Sequence, residues 1–295
     1  MAHILLIHNA TSGKGRSKEE LIPLLESVGH QCHYVQDIDV YLNDTFKEVD
    51  FMAIAGGDGT MKESLLSLLK RKGPYRSLPL AFLPTGTANN FASSLGIRGS
   101  LEEMVASWKT STVQKIDIGS IASEIDAPFF IESVGFGIFP AFLEKMKKVP
   151  PSNPEESVRN SLSGFLETTA QAKPQSCRLF IDGTDYSGAY LLIEVMNTCS
   201  IGPNLLLSPQ GDPGDGYLDV VLVKERERQI LLSYAQHKLD GKEGTFSLPS
   251  IKAKKVSVSW SLNEMHVDDV LHPLPGSPLL DITILNGAFH YLKPR

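Results

Sequence analysis

Short apolar runs alternate with helix-spaced leucines over the first part of the chain. The run His3–His8 predicts a strand, and the polar, glycine-bearing stretch Asn9–Gly15 predicts a loop after it. Leu21, Leu24, Leu25 and Val28 then recur at helical spacing. Ser17, with Glu20 three residues on, predicts a capping box at the start of that helix, and Gly29 marks its end. Gln31–Gln36 predicts a second strand and Phe51–Ala55 a third, buried one that runs into Gly56-Gly57-Asp58-Gly59-Thr60. A helix rich in leucine (Leu65, Leu66, Leu68, Leu69) follows and stops at Gly73-Pro74. Pro79–Leu83 predicts a fourth strand leading into the loop Pro84–Phe91, and Ser100 with Glu103 opens a further helix that runs to about Lys109. This strand–loop–helix alternation predicts a parallel α/β sheet.

The pattern changes near residue 113. Strand-like runs follow in close succession at Val113–Ile118, Phe129–Val134, Cys177–Ile181, Ala189–Met196, Tyr217–Val223, Val256–Leu262 and Leu279–Leu285. Turn residues such as Asp182-Gly183 and Asp215-Gly216 separate several of them, which predicts an antiparallel sheet or sandwich. Helices interrupt it at roughly Ser157–Ala172 and Glu225–Leu239, and Pro150-Pro151-Ser152-Asn153-Pro154 reads as a rigid surface loop before the first. The fold class is therefore α/β plus β: a parallel-sheet domain over 1–120 and a β-rich, sandwich-like domain over 121–285.

Composition narrows the function classes. A chain of 295 residues allows one large or two moderate domains at about 150 residues each. With 42% apolar and 21% charged residues, it is neither disordered nor collagen-like. Lys and Arg number 28 against 34 Asp and Glu, a formal charge of −6, which argues against nucleic acid as a partner. Cys32, Cys177 and Cys199 form no CxxC pair, so spacing offers neither a disulfide framework nor a cysteine zinc site, in keeping with a reducing compartment. The start MAHILLIHNA lacks a basic region and reads as a strand, not a signal peptide. The longest apolar run, Ser133–Leu143, is too short to cross a membrane. Followed by Lys145, Lys147 and Lys148, it reads either as a membrane-docking edge or, the better fit, as a core strand leading into a solvated helix.

The loops carry the candidate chemistry. Gly56–Thr60 lies between a buried strand and a helix, where open α/β sheets bind ligands. Glycine there allows positive φ and close approach to a phosphate, and the helix start offers unpaired N–H groups. Asp58 adds a carboxylate able to hold Mg²⁺ or orient a hydroxyl; the plainer reading is a tight turn with Thr60 and Glu63 as a capping box. Pro84–Phe91 has the same placement, with Gly86, Thr87, Asn89 and Asn90 as phosphate or cap groups. Asn9–Gly15 also follows a strand but is neither a P-loop nor a dinucleotide fingerprint. Parallel strands would set all three loops on one edge, and three such loops together suggest a phosphate-rich ligand. Asp212-Pro213-Gly214-Asp215-Gly216 offers two carboxylates for a hard cation, or a plain turn. His3, His8, His30 and His33 show no ligand spacing.

At these residues the chain resembles the diacylglycerol kinase catalytic-domain family, particularly bacterial soluble lipid kinases, and is more distantly similar to sphingosine and NAD kinases. The matching stretches are NATSGKG (Asn9–Gly15), GGDGT (Gly56–Thr60), PTGTANNFA (Pro84–Ala92), GDPGDGYLDV (Gly211–Val220) and Gly287–Pro294, in the family's order over nearly the whole chain. The resemblance implies a nucleotide domain and a β-rich substrate domain with a cleft between, residues 286–295 returning to the first domain. It implies ATP bound by Asn9, Ser12, Gly13, Gly56, Gly57, Asp58, Gly59, Thr60, Thr87 and Asn90, and a structural Mg²⁺ on Asp212, Asp215 and the Tyr217 carbonyl. It implies a lipid hydroxyl attacking the γ-phosphate of ATP during transient contact with a membrane surface, in a cytoplasmic protein that admits a homodimer. In two places the chain departs from the family pattern. Asn90 stands where an aspartate is usual, and Val270 stands where the family's base, a glutamate in an Asp-Gly-Glu turn, would be. An extended segment would put Asp268 on the face of Val270; Asp269, after a one-residue slip, and nearby His272 are the other candidates. The expected function is an ATP-dependent kinase for a diacylglycerol-type hydroxyl. The alternatives are a nucleotide-binding homologue without turnover and a kinase for a soluble compound such as NAD.

Overall fold

The computed structural model describes residues 1–8, 16–36, 49–71, 74–122, 127–150, 153–242 and 244–294. The chain forms two compact units, Met1–Asp117 with Asn286–Arg295, and Ile118–Leu285.

In the first unit β1 (His3–His8) is followed by α1 (Lys18–Ser27), β2 (Gln31–Val35), β3 (Phe51–Gly56), α2 (Asp58–Lys70) and β4 (Leu80–Pro84). The strands pair in parallel in the order β4-β3-β1-β2. Parallel neighbours need crossovers, and α1 supplies one between β1 and β2 and α2 another between β3 and β4. All six residues of β3 are buried, as expected of a strand covered on both faces. The Ser17 amide donates to Glu20 at 2.9 Å at the head of α1, and Gly29 at φ 85° ends it. Two short helices, α3 (Asn90–Ser94) and α4 (Leu101–Ser107), follow β4, the second opened by the Ser100–Glu103 capping box. β5 (Thr112–Ala122) then leads into the second unit.

The second unit continues with β6 (Phe129–Phe130), β7 (Ser133–Gly137), α5 (Ile138–Met146), α6 (Pro154–Gln171), β8 (Gln175–Ile181), β9 (Thr184–Asp185), β10 (Gly188–Tyr190), β11 (Leu192–Met196), β12 (Leu218–Val223), α7 (Arg228–Leu239), β13 (Ile251–Ala253), β14 (Lys255–Trp260), β15 (Glu264–Val267), β16 (Val270–Pro273) and β17 (Leu280–Lys293). One antiparallel sheet runs β13-β12-β11-β7-β15-β16. A second holds β10, β8, β14 and the start of β17, again antiparallel. One core gathers Val134, Phe136, Ile193, Val195 and Val220 from the first sheet with Leu179, Val258, Trp260 and Ile282 from the second. On the first sheet's other side, Leu192, Met196, Val221 and Val223 meet Phe139, Phe142, Phe165, Leu231 and Tyr234 of α5, α6 and α7. The period-two alternation of β11 thus faces two cores at once, with Glu194 on the helix side.

Several elements differ from the sequence expectation. Phe129–Val134 is two strands, because the amides of Ile131, Glu132 and Ser133 turn away from the ladder toward the Asp268 carboxylate. Ser133–Leu143 is strand then helix: Val134 and Phe136 enter one core, Ile138, Phe139 and Phe142 the other. Its lysines are paired, Lys145 with Glu167, and Lys147 and Lys148 with Glu144. The hairpin β15–β16 escaped notice because each strand has only four residues.

The last residues of β17 belong to the first unit, where Tyr291 pairs in parallel with Leu80 of β4. Phe289 and Tyr291 are buried, the Tyr291 hydroxyl donates to the Leu95 carbonyl at 2.9 Å, and the Gly287 amide donates to buried Asp117 at 2.6 Å. Phe289→Ala will therefore destabilise the first unit by about 3–5 kcal/mol. Urea-dependent hydrogen exchange of the β4 amides measures this; unchanged protection there would contradict the packing described.

Candidate functional site

β3 and β4 are adjacent and parallel, with Gly56 opposite Pro84, so their following loops leave the sheet side by side. The loops touch through glycines. A Cβ on Gly86 would lie 2.5 Å from the Gly57 Cα, and one on Gly57 would lie 3.2 Å from the Gly86 Cα. Behind them a Cβ on Gly56 would lie 2.4 Å from the Thr60 Cβ, and the Thr85 amide donates to the Gly56 carbonyl at 3.0 Å. None of Gly56, Gly57, Gly59 and Gly86 has positive φ, which corrects the expectation from sequence: close approach, of backbone at Gly57 and Gly86 and of the Thr60 side chain at Gly56, accounts for three of them. Gly59 faces open space.

Asp58, the first residue of α2, joins the two loops. Its carboxylate accepts the amides of Asn90 at 3.1 Å and Phe91 at 3.0 Å, capping α3 from the neighbouring loop. Asn89, at φ 52°, closes its own loop by accepting from the Gly86 amide and donating to the Gly86 carbonyl. Gly56, Gly57, Asp58, Gly59, Thr60, Thr87 and Asn90 thus lie in two abutting loops, each leading into a helix N-terminus. Asn9, Ser12 and Gly13 lie outside the described residues. The Thr60 and Thr85 hydroxyls are buried without a hydrogen-bond partner among the described residues. The α2 N-terminus, close glycines and unsatisfied hydroxyls fit an anionic phosphate chain.

In the second unit Asp268 and Asp269 form the two-residue turn between Val267 and Val270. Asp268 has φ 53°, so the segment is not extended and Asp268 does not share a face with Val270. Its buried carboxylate accepts the amides of Ile131 (3.2 Å), Glu132 (2.8 Å) and Ser133 (3.2 Å), which assigns it to holding the turn. Asp269 and Val270 are exposed. Beneath the turn, His266 Nδ1 donates to the Asp268 carbonyl at 2.7 Å, and Nε2 meets the Glu194 carboxylate at 2.9 and 3.1 Å. Both side chains are fully buried, and Gly135 makes room for Glu194, since a Cβ there would lie 2.2 Å from Glu194 Oε1. Burial alone would lower the His266 pKa, but the Glu194 carboxylate and the Asp268 carbonyl outweigh it and hold the value above normal. Sequence reasoning missed this pair; the signal was a glutamate inside the otherwise apolar strand LIEVM and a histidine between the apolar Met265 and Val267.

Asp212, Asp215 and Tyr217 lie in the loop before β12. Asp212 Oδ1 accepts the Gly214 amide at 3.0 Å, and Asp215 Oδ1 accepts the Tyr217 amide at 2.9 Å. Asp215 Oδ2 takes the Lys252 ammonium at 2.6 Å, and the same ammonium reaches Asp219 Oδ2 at 2.8 Å. Among the described residues, no group of three or more His, Cys, Asp or Glu side chains converges as a metal cage. With an ammonium already on Asp215, this donor set does not fit the structural Mg²⁺ that the resemblance implies. Burial lowers the Lys252 pKa, but Asp215 and Asp219 overcome it, so the group stays charged.

Comparison with known proteins follows the same two-part division. Residues 3–121 match the diacylglycerol kinase catalytic domain, and residues 157–268 match the YegS C-terminal NAD kinase beta sandwich-like domain. Residues 3–121 thus carry a diacylglycerol kinase catalytic domain, and the chain has distant homologues among bacterial diacylglycerol kinases over nearly its full length. A diacylglycerol kinase of Mycobacterium tuberculosis is 24% identical over 99% of this chain and 92% of its own length. One of Bacillus subtilis is 26% identical over 88% and 87%. A crystal structure described as a diacylglycerol kinase from Bacillus anthracis shares the fold, with a TM-score of 0.72 at 22% identity over 99% and 97% of the two chains. This is a family of lipid kinases, that is, phosphotransferases, and its catalytic domain implies use of ATP. Among the described residues, no helix is long and apolar enough to cross a membrane.

Two predictions follow from the geometry. Gly86→Ala will destabilise the first unit by about 1–3 kcal/mol, since its nearest obstacle is the Gly57 backbone, which cannot swing aside as a side chain would. Gly59→Ala, in open space on a helix, will stabilise it by about 0.5–1 kcal/mol. Paired urea melts check the opposite signs. In the second unit the raised His266 pKa contributes stability that is complete below about pH 6.5 and is lost as pH rises through the higher folded value. His266→Gln should remove that alkaline decline in a pH series of melts; a variant that keeps it would contradict the assignment.

Proposed function

We propose that the chain is an ATP-dependent kinase that phosphorylates a lipid hydroxyl of the diacylglycerol type. The observation that carries the reading is the Gly57–Gly86 contact, bridged by Asp58, which joins two helix-opening loops into one rim. Phosphoryl transfer is mostly positioning and charge neutralisation, and a rim of amide groups suits both. In the reaction a bond forms between the lipid oxygen and the γ-phosphorus, the bridging P–O bond to ADP breaks, and the hydroxyl proton leaves. Mg²⁺ bound with the nucleotide would supply the charge neutralisation of its phosphates. For the hydroxyl proton, Asp268 and Asp269 remain the acceptors that the resemblance offers; Asp268 accepts three amides and Asp269 is exposed. The acceptor class rests on the diacylglycerol kinases of Mycobacterium tuberculosis and Bacillus subtilis to which the chain is similar. The lipid is met at a membrane surface. Ser133–Leu143 does not supply that contact, because its large apolar side chains are in the cores.

An assay of ADP release with diacylglycerol, long-chain bases, polyprenol alcohols and NAD as acceptors tests this. Turnover on diacylglycerol, reduced about a hundredfold by Asp58→Asn through loss of loop registry, is the expected result. Turnover on NAD alone would make the acceptor a soluble compound. ATP binding without turnover on any acceptor would leave a nucleotide-binding protein, the reading that an apolar Val270 at the tip of the hairpin favours.

A further inference from the structure

We propose that Lys252 is the resident cation of the Asp212–Asp219 segment, so that the fold of Ile118–Leu285 holds without a divalent metal. β13 is a three-residue strand at the end of its sheet, held by three register pairs. Lys252 is its central residue and stands opposite Asp219 of β12. The Lys252 side chain ties that edge strand to the loop ahead of β12, reaching Asp215 at 2.6 Å, Asp219 at 2.8 Å and the Gln210 carbonyl at 3.5 Å. Asp219 is 1% exposed, and its other oxygen accepts the Ser250 hydroxyl at 2.7 Å, so this buried carboxylate is satisfied from within the chain. Lys254 lies over the ring of neighbouring Tyr217 at 5.2 Å. A divalent ion drawing on Asp215 would sit against the ammonium or displace it, and displacement would leave Asp219 buried without its counter-charge. The inference is independent of the kinase reading, because its test contains no nucleotide.

The test is thermal melting of the nucleotide-free full chain after EDTA dialysis, with and without millimolar Mg²⁺ or Ca²⁺. A site filled a hundredfold over its dissociation constant would raise the midpoint by roughly 5–10 °C. The wild-type midpoint should not respond to either ion, and Lys252→Arg should behave alike. Lys252→Met should melt lower and gain a metal response, or fold only with metal present. A wild-type shift of that size, abolished by Asp215→Asn, would overturn the proposal. So would a Lys252→Met protein that melts like the wild type. Should Lys252→Met fail to fold under any condition, titration calorimetry of Mg²⁺ into the wild type decides: no heat of binding supports the proposal, and stoichiometric binding lost in Asp215→Asn overturns it.

Discussion

Two backbones approach at Gly57 and Gly86 more closely than any side chain allows. That contact makes one rim of what the sequence presents as two separate loops. It forces the end of β4 against the end of β3, and it brings the start of α3 within reach of a carboxylate at the start of α2. Asp58 then works as a clamp: its oxygens take two amides that the short helix α3 cannot satisfy itself. A phosphate chain laid along such a rim meets peptide dipoles already oriented, with no reorganisation left to the moment of reaction.

The second unit solves a different problem, that of holding polar turns on a sheet covered on both sides. It does so with buried polar groups set beside their partners. Asp268 gathers three amides, His266 meets Glu194 beneath it, and the more exposed Lys252 joins Asp215 to buried Asp219. Buried pairs of this kind contribute little net stability, because desolvation offsets attraction, yet breaking one leaves an uncompensated charge. Their consequence is geometric: the hairpin tip carrying Asp269 and Val270 is anchored from two directions.

The first unit was largely legible in the sequence. Helical leucine spacing, two capping boxes and buried runs ending in glycine each have a local cause, and local causes are written in adjacent residues. Both glycine loops were found, but their reason was misread, because a contact between residues 57 and 86 has no signature at either position alone. The second unit was legible as strands and not as a site. A glutamate at the centre of β11 and a histidine in β15 acquire meaning only when Gly135 lies between their strands, and no spacing rule connects residues 135, 194 and 266. The positive φ of Asp268 was likewise hidden, since Asp-Asp is a weaker turn signal than Asp-Gly.

The central claim is that the loops after β3 and β4 form one phosphate-binding rim. Amide chemical-shift mapping of the whole chain during titration with ATP tests it most directly. The account predicts that the resonances of residues 57–60 and 85–91 move together and saturate with one affinity, while β12 and β13 stay still. Saturable binding that leaves both loops unmoved, or that moves one loop without the other, would contradict it.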